Sequence, residues 1–255
     1  MGVYVRTLTI NDLDKVIALE NACFPEEERG TLAQFKYRLT TCGELSHGLF
    51  TMSKPHPDTP KGLSDFKPKE ILIAMISATK TSAPTVTDAS MKIPKQLLHI
   101  FDPSAPAPSA DSPPAVPKAE GASQNQPPTE PAEPSSGADT LDPKPLKEFS
   151  PDLEGHVEAG DTVCIHSLCV AQSYRGQSQS QTLLKDFISR MRDAGVSKRI
   201  ALVCHKETTG VYTKAGFRYR GISKVTHGGV EWAEMVLDYN VPPPKGGVRR
   251  VGSGV

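Results

Sequence analysis

Of the 23 prolines in this chain, fifteen fall between Pro84 and Pro151, and that crowding limits how everything on either side can fold. The run PSAPAPSADSPPAVPKAEGASQNQPPTEPAEPSSG carries almost no aromatic or β-branched side chain. Such a segment cannot bury enough surface to offset the entropy of ordering it. Residues 81–160 are therefore expected to form a disordered insertion. Within it MKIPKQLLHIF (91–101) suits a helical turn, and PLKEFSPDLEG leads back towards the fold. The tail 239–255, with VPPPKGGVRRVGSGV, is expected to be flexible. Two periodic blocks remain, 1–80 and 161–238. Neither is complete alone, so they are expected to build a single discontinuous domain.

The first block opens with the alternating strand VYVRTLT. Asn11 and Asp12 then stand as helix caps before Leu13, Val16, Ile17 and Leu19 at helical spacing. A loop, FPEEERGT, leads to the helix AQFKYRLTTC and the strands ELSHGLFTM and EILIAMISATK. The second block begins with the strand DTVCIHSLCVA and runs through SYRGQSQS into the helix QTLLKDFISRMRDAG. That helix carries Leu183, Leu184, Phe187, Ile188 and Met191 on one face and ends near Gly195. RIALVCH, the short helix ETTGVYTKAG, FRYRGIS and VEWAEMVLDY complete the pattern. This order implies an α/β fold with a mixed central sheet flanked by helices.

Charge and cysteine content exclude several classes. Lys+Arg and Asp+Glu both number 29, so no net charge points to nucleic acid or an anionic membrane as partner. No apolar run approaches a membrane span, and the start MGVYVRTLT lacks the apolar region of a signal peptide. The five cysteines, Cys23, Cys42, Cys164, Cys169 and Cys204, show no metal-ligand spacing. They read as reduced thiols of a cytoplasmic protein without a metal. The zero charge is an average. Residues 81–160 hold five Lys and twelve Asp or Glu, a net of −7, which leaves +7 on the rest.

The strand, SYRGQSQS and helix succession is the most informative feature. A loop entering a helix N-terminus presents unpaired N–H groups, and with the helix dipole these suit a pyrophosphate. Taken alone, the same pattern also describes an ordinary strand-to-helix connection. Arg175, Gly176, Gln177, Ser178, Gln179 and Ser180 resemble the acetyl-CoA motif of the GNAT superfamily of N-acetyltransferases, with serines at the pattern's two later glycines. CIHSLCV (164–170), VCHKETTGVYTKAGF (203–217), ENACFPEEER and CGELSHGLF are similar to segments of the arylalkylamine, or serotonin-type, branch. The resemblance covers both blocks and none of the insertion.

The resemblance implies a GNAT acyltransferase fold, acetyl-CoA as co-substrate, and direct attack by a primary amine in a ternary complex. An alkylammonium with a pKa of about 10 needs a proton acceptor, and His166 takes that role by resemblance. Its alternative is a hydrogen-bonded core histidine. Where the family often has a second histidine, this chain has Cys164, a poor substitute in a proton relay. His166 is therefore expected to act alone or with a carboxylate, for which Glu27 and Glu28 are the candidates unless they form a solvated acidic loop. The resemblance makes Tyr212 the proton donor to the departing thiolate. It also places the cofactor against Leu168, Cys169, Val170, Arg175, Gly176, Gln177, Ser178, Gln179, Ser180 and Gln181, with the Leu168 N–H holding the oxyanion. Phe24, Glu27, Glu28, Leu168 and Val211 are the candidate substrate residues. Cys169 and Cys204, in apolar strands, are expected to pack, not to act as nucleophiles. Aromatic amines fit best. Polyamines are the runner-up, and a catalytically weak acetyl-CoA-binding scaffold is the alternative from another class. The protein is expected to be a monomer with a small-molecule amine as partner and no nucleic acid or membrane, and the PxxP matches of the insertion offer an SH3-type contact or a passive linker.

Overall fold

The computed structural model describes residues 2–54, 67–105 and 153–240. Seven strands form one sheet in the order β1-β2-β3-β4-β5-β7-β6. They are β1 (Tyr4–Thr7), β2 (His47–Met52), β3 (Glu70–Thr81), β4 (Thr162–Val170), β5 (Arg199–Cys204), β6 (Arg218–Ile222) and β7 (Ala233–Asp238). Strands β1 to β4 run antiparallel, β4 and β5 run parallel, and β7 is antiparallel to both β5 and β6. The parallel pair needs a crossover, and the second block supplies one as α5 (Gln179–Asp193).

The helices follow the apolar stripes read from sequence. In α1 (Leu13–Cys23) the stripe buries Val16 and Leu19; in α2 (Leu32–Thr41) it buries Phe35 and Leu39. A Thr31–Gln34 capping box starts α2. These side chains pack with Met75 and Cys169, cross-strand partners that face the same side of the sheet. The other face is covered by α5, which places Leu183, Leu184 and Phe187 against Ile73, Ile76 and Ile165. The short α6 (Thr209–Lys214) connects β5 to β6.

The expected insertion differs at both margins. Residues 81–105 and 153–160, assigned to disorder from composition, are ordered around the end of β3. They include α3 (Asp88–Met91) and α4 (Lys95–Phe101), the latter over the segment that suggested a helical turn. Val86 is buried in a cluster with Cys164 and Trp232, and Ile93 is buried too. The returning arm is tied down by Val157 N–H to Lys80 O (2.9 Å), Gly155 N–H to Ala89 O (2.9 Å) and His156 N–H to the Tyr37 hydroxyl (2.9 Å). A few apolar residues between prolines suffice where a preformed sheet offers a surface, which composition alone does not register. Residues 106–152 and 241–255, the rest of the expected insertion and most of the expected tail, lie outside the described residues.

Candidate active site

Strand β4 pairs with β3 as far as Val170, but with β5 only over Thr162 to Ile165. The two strands part beyond that point, and a cavity of about 430 Å³ opens between them. From β4 it is lined by His166, Leu168 and Val170, and from β5 and its end by Val203, Cys204 and His205. Phe24 and Glu28 close it from the loop after α1, Val211 and Tyr212 from α6, and His227 and Trp232 from the segment before β7.

A register shift in the β3–β4 pairing places His166 in this cavity. Ser77 pairs with Ser167 and Ala78 with Ile165, so His166 is the extra residue of a bulge. Bulges re-aim a side chain, which simple strand alternation does not foresee. The His166 ring shares a 2.8 Å hydrogen bond between Nε2 and the Thr79 hydroxyl. Its Nδ1 is buried and has no partner among the described residues. Burial, reinforced by the charges of Arg38 and His227, holds the ring well below the ordinary histidine range, so it is neutral near pH 7.

Tyr212 lies across the cavity with its ring edge-on to Phe217 at 6.0 Å. Burial, with the nearby thiols of Cys204 and Cys169, pushes its phenol above the usual range, and it therefore remains a donor. Cys164 does not line the cavity; it is fully buried, and desolvation pushes its thiol up to about 12. Cys169 does not line the cavity either; it is buried, its Sγ 3.2 Å from Glu20 Oε2.

The loop before α5 makes a tight reversal. Gly176 has φ 76° and Ser178 φ 60°, and Ser178 is the residue that caps α5. A Cβ built on Gly176 would meet nothing within 4 Å, so the loop faces open space. Arg175 folds back, its Nε donating to Val170 O at 3.0 Å and its Nη2 3.6 Å from Cys23 Sγ. Gln181 ties the helix start to α6 through Val211 O at 2.7 Å. Of the residues expected to contact the cofactor, Leu168, Val170, Arg175 and Ser180 line the cavity; Cys169, Gly176, Gln177, Ser178, Gln179 and Gln181 do not. Among the substrate candidates, Phe24, Glu28, Leu168 and Val211 line it. Glu27 is exposed, because the single 3₁₀ turn Glu26–Glu28 directs only Glu28 inward.

Sequence reasoning missed several lining residues. Glu20 is 1% exposed; its carboxylate accepts from the Ser167 hydroxyl (3.0 Å) and the Gly30 N–H (3.1 Å). Arg38 is also buried and donates to Met91 O at 3.3 Å, with burial lowering its guanidinium to about 10. Both sit on apolar helix stripes, Glu20 beside Val16 and Leu19, Arg38 beside Phe35 and Leu39. A charge on an apolar stripe was the available signal. Cys23, beside Cys169, Arg175 and the Val170 carbonyl, has its thiol lowered to about 6. His205, His227 and Trp232 gave no local signal. Among the described residues there is no cluster of metal-ligating side chains and no helix long and apolar enough to cross a membrane.

Residues 150–239 match the family model described as the acetyltransferase (GNAT) domain. Solved structures with the same architecture include the loading GNATL domain of CurA from Lyngbya majuscula, at 10% identity and a TM-score of 0.52, with 93% of this chain and 98% of that one covered. The GphF GNAT-like decarboxylase in complex with isobutyryl-CoA is similar at 14% identity and TM-score 0.52, covering 92% of this chain and 98% of that one. The NatC complex bound to Gag peptide and CoA gives 13% identity, TM-score 0.50, and coverage of 93% and 99%. No curated protein matches the sequence significantly. The chain has the GNAT fold, a mixed sheet flanked by helices.

Proposed function

We propose that this GNAT-fold chain is an acetyl-CoA-dependent N-acetyltransferase of a primary amine, with an arylalkylamine such as tryptamine or serotonin as the substrate class. The observation that carries the reading is the parting of β4 and β5. It leaves one edge of the His166 strand unpaired by β5 and sets it, a protonated tyrosine and the start of α5 around one cavity.

The residues present fit acetyl-CoA. An unpaired strand edge can take the pantetheine amides as an added strand would. The first N–H groups of α5, a helix of four turns, suit the pyrophosphate, and the space over Gly176 admits it. The GphF and NatC structures hold acyl-CoA or CoA on the same fold. In this reading the Leu168 N–H steadies the thioester oxygen, and Tyr212 protonates the leaving thiolate. His166, neutral, forms part of the cavity wall on the β4 side. Burial keeps the thiols of Cys169 and Cys204 protonated, which favours direct attack over an acetyl-cysteine intermediate.

Phe24, Leu168, Val211 and Trp232 give the amine cavity apolar walls, which favours an aromatic tail. The carboxylates of Glu20 and Glu28 also line it, and they support a polyamine as the second reading. Five free cysteines suit a reducing compartment, and on that ground we place the protein in the cytoplasm. The test is thiol release from acetyl-CoA with phenylethylamine, tryptamine, serotonin, spermidine and putrescine. Turnover led by the aromatic amines supports the reading. Turnover confined to spermidine and putrescine replaces the substrate class. Thermal stabilisation by CoA without turnover of any amine leaves a binding scaffold.

A further inference from the structure

An ammonium entering this cavity must lose a proton before it can attack, and His166, which the resemblance placed in that role, is poorly disposed to take it. Cys164 lies off the cavity with its thiol held protonated. At His166 the Thr79 hydroxyl lies 3.4 Å from Ser90 O as donor, so it accepts from His166 Nε2–H and leaves Nδ1 as the bare nitrogen. That atom is buried, and burial together with the charges of Arg38 and His227 disfavours a proton on the ring. A proton delivered there would meet that opposing charge, and among the described residues no carboxylate bonds the ring.

The opposite wall is built differently. His205 follows the last residue of β5 and lines the cavity with 39% of its side chain exposed. Its Nε2 lies 2.8 Å from Glu28 Oε2, on a carboxylate side chain only 5% exposed. Its ring packs on Trp232 at 4.8 Å. Trp232 in turn donates from Nε1 to His227 O at 2.8 Å, and His227 Nε2 bonds to Glu28 O at 3.1 Å. The loop carrying Glu28 is thus fixed from both its main chain and its side chain. A carboxylate only accepts, so it holds His205 as the Nε2–H tautomer and leaves Nδ1 as a lone pair. The same carboxylate, on a buried side chain, fixes the orientation of the ring.

We infer that His205 Nδ1 is the general base that takes the proton from the incoming ammonium, with Glu28 as its positioning residue. This rests on the acetyl-transfer reading. The ammonium N–H proton passes to His205 and on to solvent through the exposed side of the ring. The neutral amine then forms the C–N bond as the C–S bond breaks. The thiolate takes the Tyr212 proton, and one of the two protons on the attacking nitrogen restores the phenol, the other staying as the amide N–H.

The test compares phenylethylamine with its β,β-difluoro analogue, whose ammonium is far more acidic and arrives largely deprotonated at neutral pH. The full chain is assayed as wild type and as His205→Gln, Glu28→Gln and His166→Gln. For phenylethylamine, kcat/KM is expected to fall about 100-fold in His205→Gln and about 10-fold in Glu28→Gln. The difluoro amine should be spared to within about 3-fold in both, and His166→Gln should reduce the two amines equally. Equal losses on both amines in His205→Gln and Glu28→Gln, or no loss in either, overturn the inference. So does a loss selective for phenylethylamine in His166→Gln. If His205→Gln does not fold, Glu28→Gln decides by the same comparison. Wild-type protein that CoA stabilises but that turns over no amine removes the acetyl-transfer reading itself, a result distinct from active wild type with indifferent variants.

Discussion

Ser178 carries the only positive φ of any non-glycine among the described residues, at a position where the resembling motif has glycine. A left-handed conformation costs an L-residue roughly 1–2 kcal/mol, part of which a glycine gives back through unfolded-state entropy. Ser178→Gly is therefore expected to stabilise the fold by about 0.5–1 kcal/mol in urea unfolding; an unchanged or lower midpoint would contradict the strain. Cys23 supplies a second residue-scale expectation. With its thiol near 6 it is largely thiolate at pH 7, whereas Cys42, Cys164, Cys169 and Cys204 are all raised by burial. Iodoacetamide should modify Cys23 first, as read by peptide mass mapping, and acetyl-CoA should slow it because Arg175 lies at the same spot. Glu20 and Arg38 were legible in principle at this scale, since each interrupts an apolar stripe with a charge. The buried role of Ser167 and the inward turn of Glu28 were not, because neighbouring residues gave no periodicity that distinguished them.

At the scale of elements, alternation and helical spacing located every strand of the sheet and the helices α1, α2, α5 and α6. Apolar faces are local patterns, and these elements are long or regular enough to show them. The bulge at His166 was invisible, since it depends on how β3 meets β4. The arms at 81–105 and 153–160 were lost to composition, although their anchors Val86 and Ile93 are visible as isolated apolar residues. The arms make a prediction about deletion. Removing residues 106–152 with a short Gly/Ser link is expected to leave the melting temperature within a few degrees. Removing 85–155 also strips α3, α4, Val86 and Ile93 from the core and should lower it markedly, as burial of an aliphatic side chain contributes about 1.5–3 kcal/mol. Equal melting temperatures for the two deletions would show that the arms do not support the fold.

Across the whole molecule, acid sensitivity follows from groups that hold their charge state against the solvent. Arg6 bonds Asp12 at 2.8 Å and Glu70 at 2.6 Å. Its hydrogen bonds keep Asp12 below the usual carboxylate range and bring Glu70 to about 2. Depressed carboxylates contribute stability that is present above about pH 5 and lost as pH falls through about 4 towards 2. His166, depressed by burial, acts in the same direction below about pH 6.5, because the unfolded ring takes a proton that the folded ring refuses. Unfolding free energy should therefore drop on acidification, and Asp12→Asn should flatten that drop below pH 5; an unaltered slope would remove Arg6 from the explanation. The contact between Glu28 and His205 spans 177 residues and joins the two blocks, so no local pattern announces it. The cavity it helps to close is the centre of the functional account. Its most direct test is thiol release from acetyl-CoA with phenylethylamine, comparing wild type with Tyr212→Phe. The account predicts turnover that falls about 10- to 100-fold in the variant, with thermal stabilisation by CoA unchanged; absence of thiol release with every amine tried, or full activity in Tyr212→Phe, would contradict it.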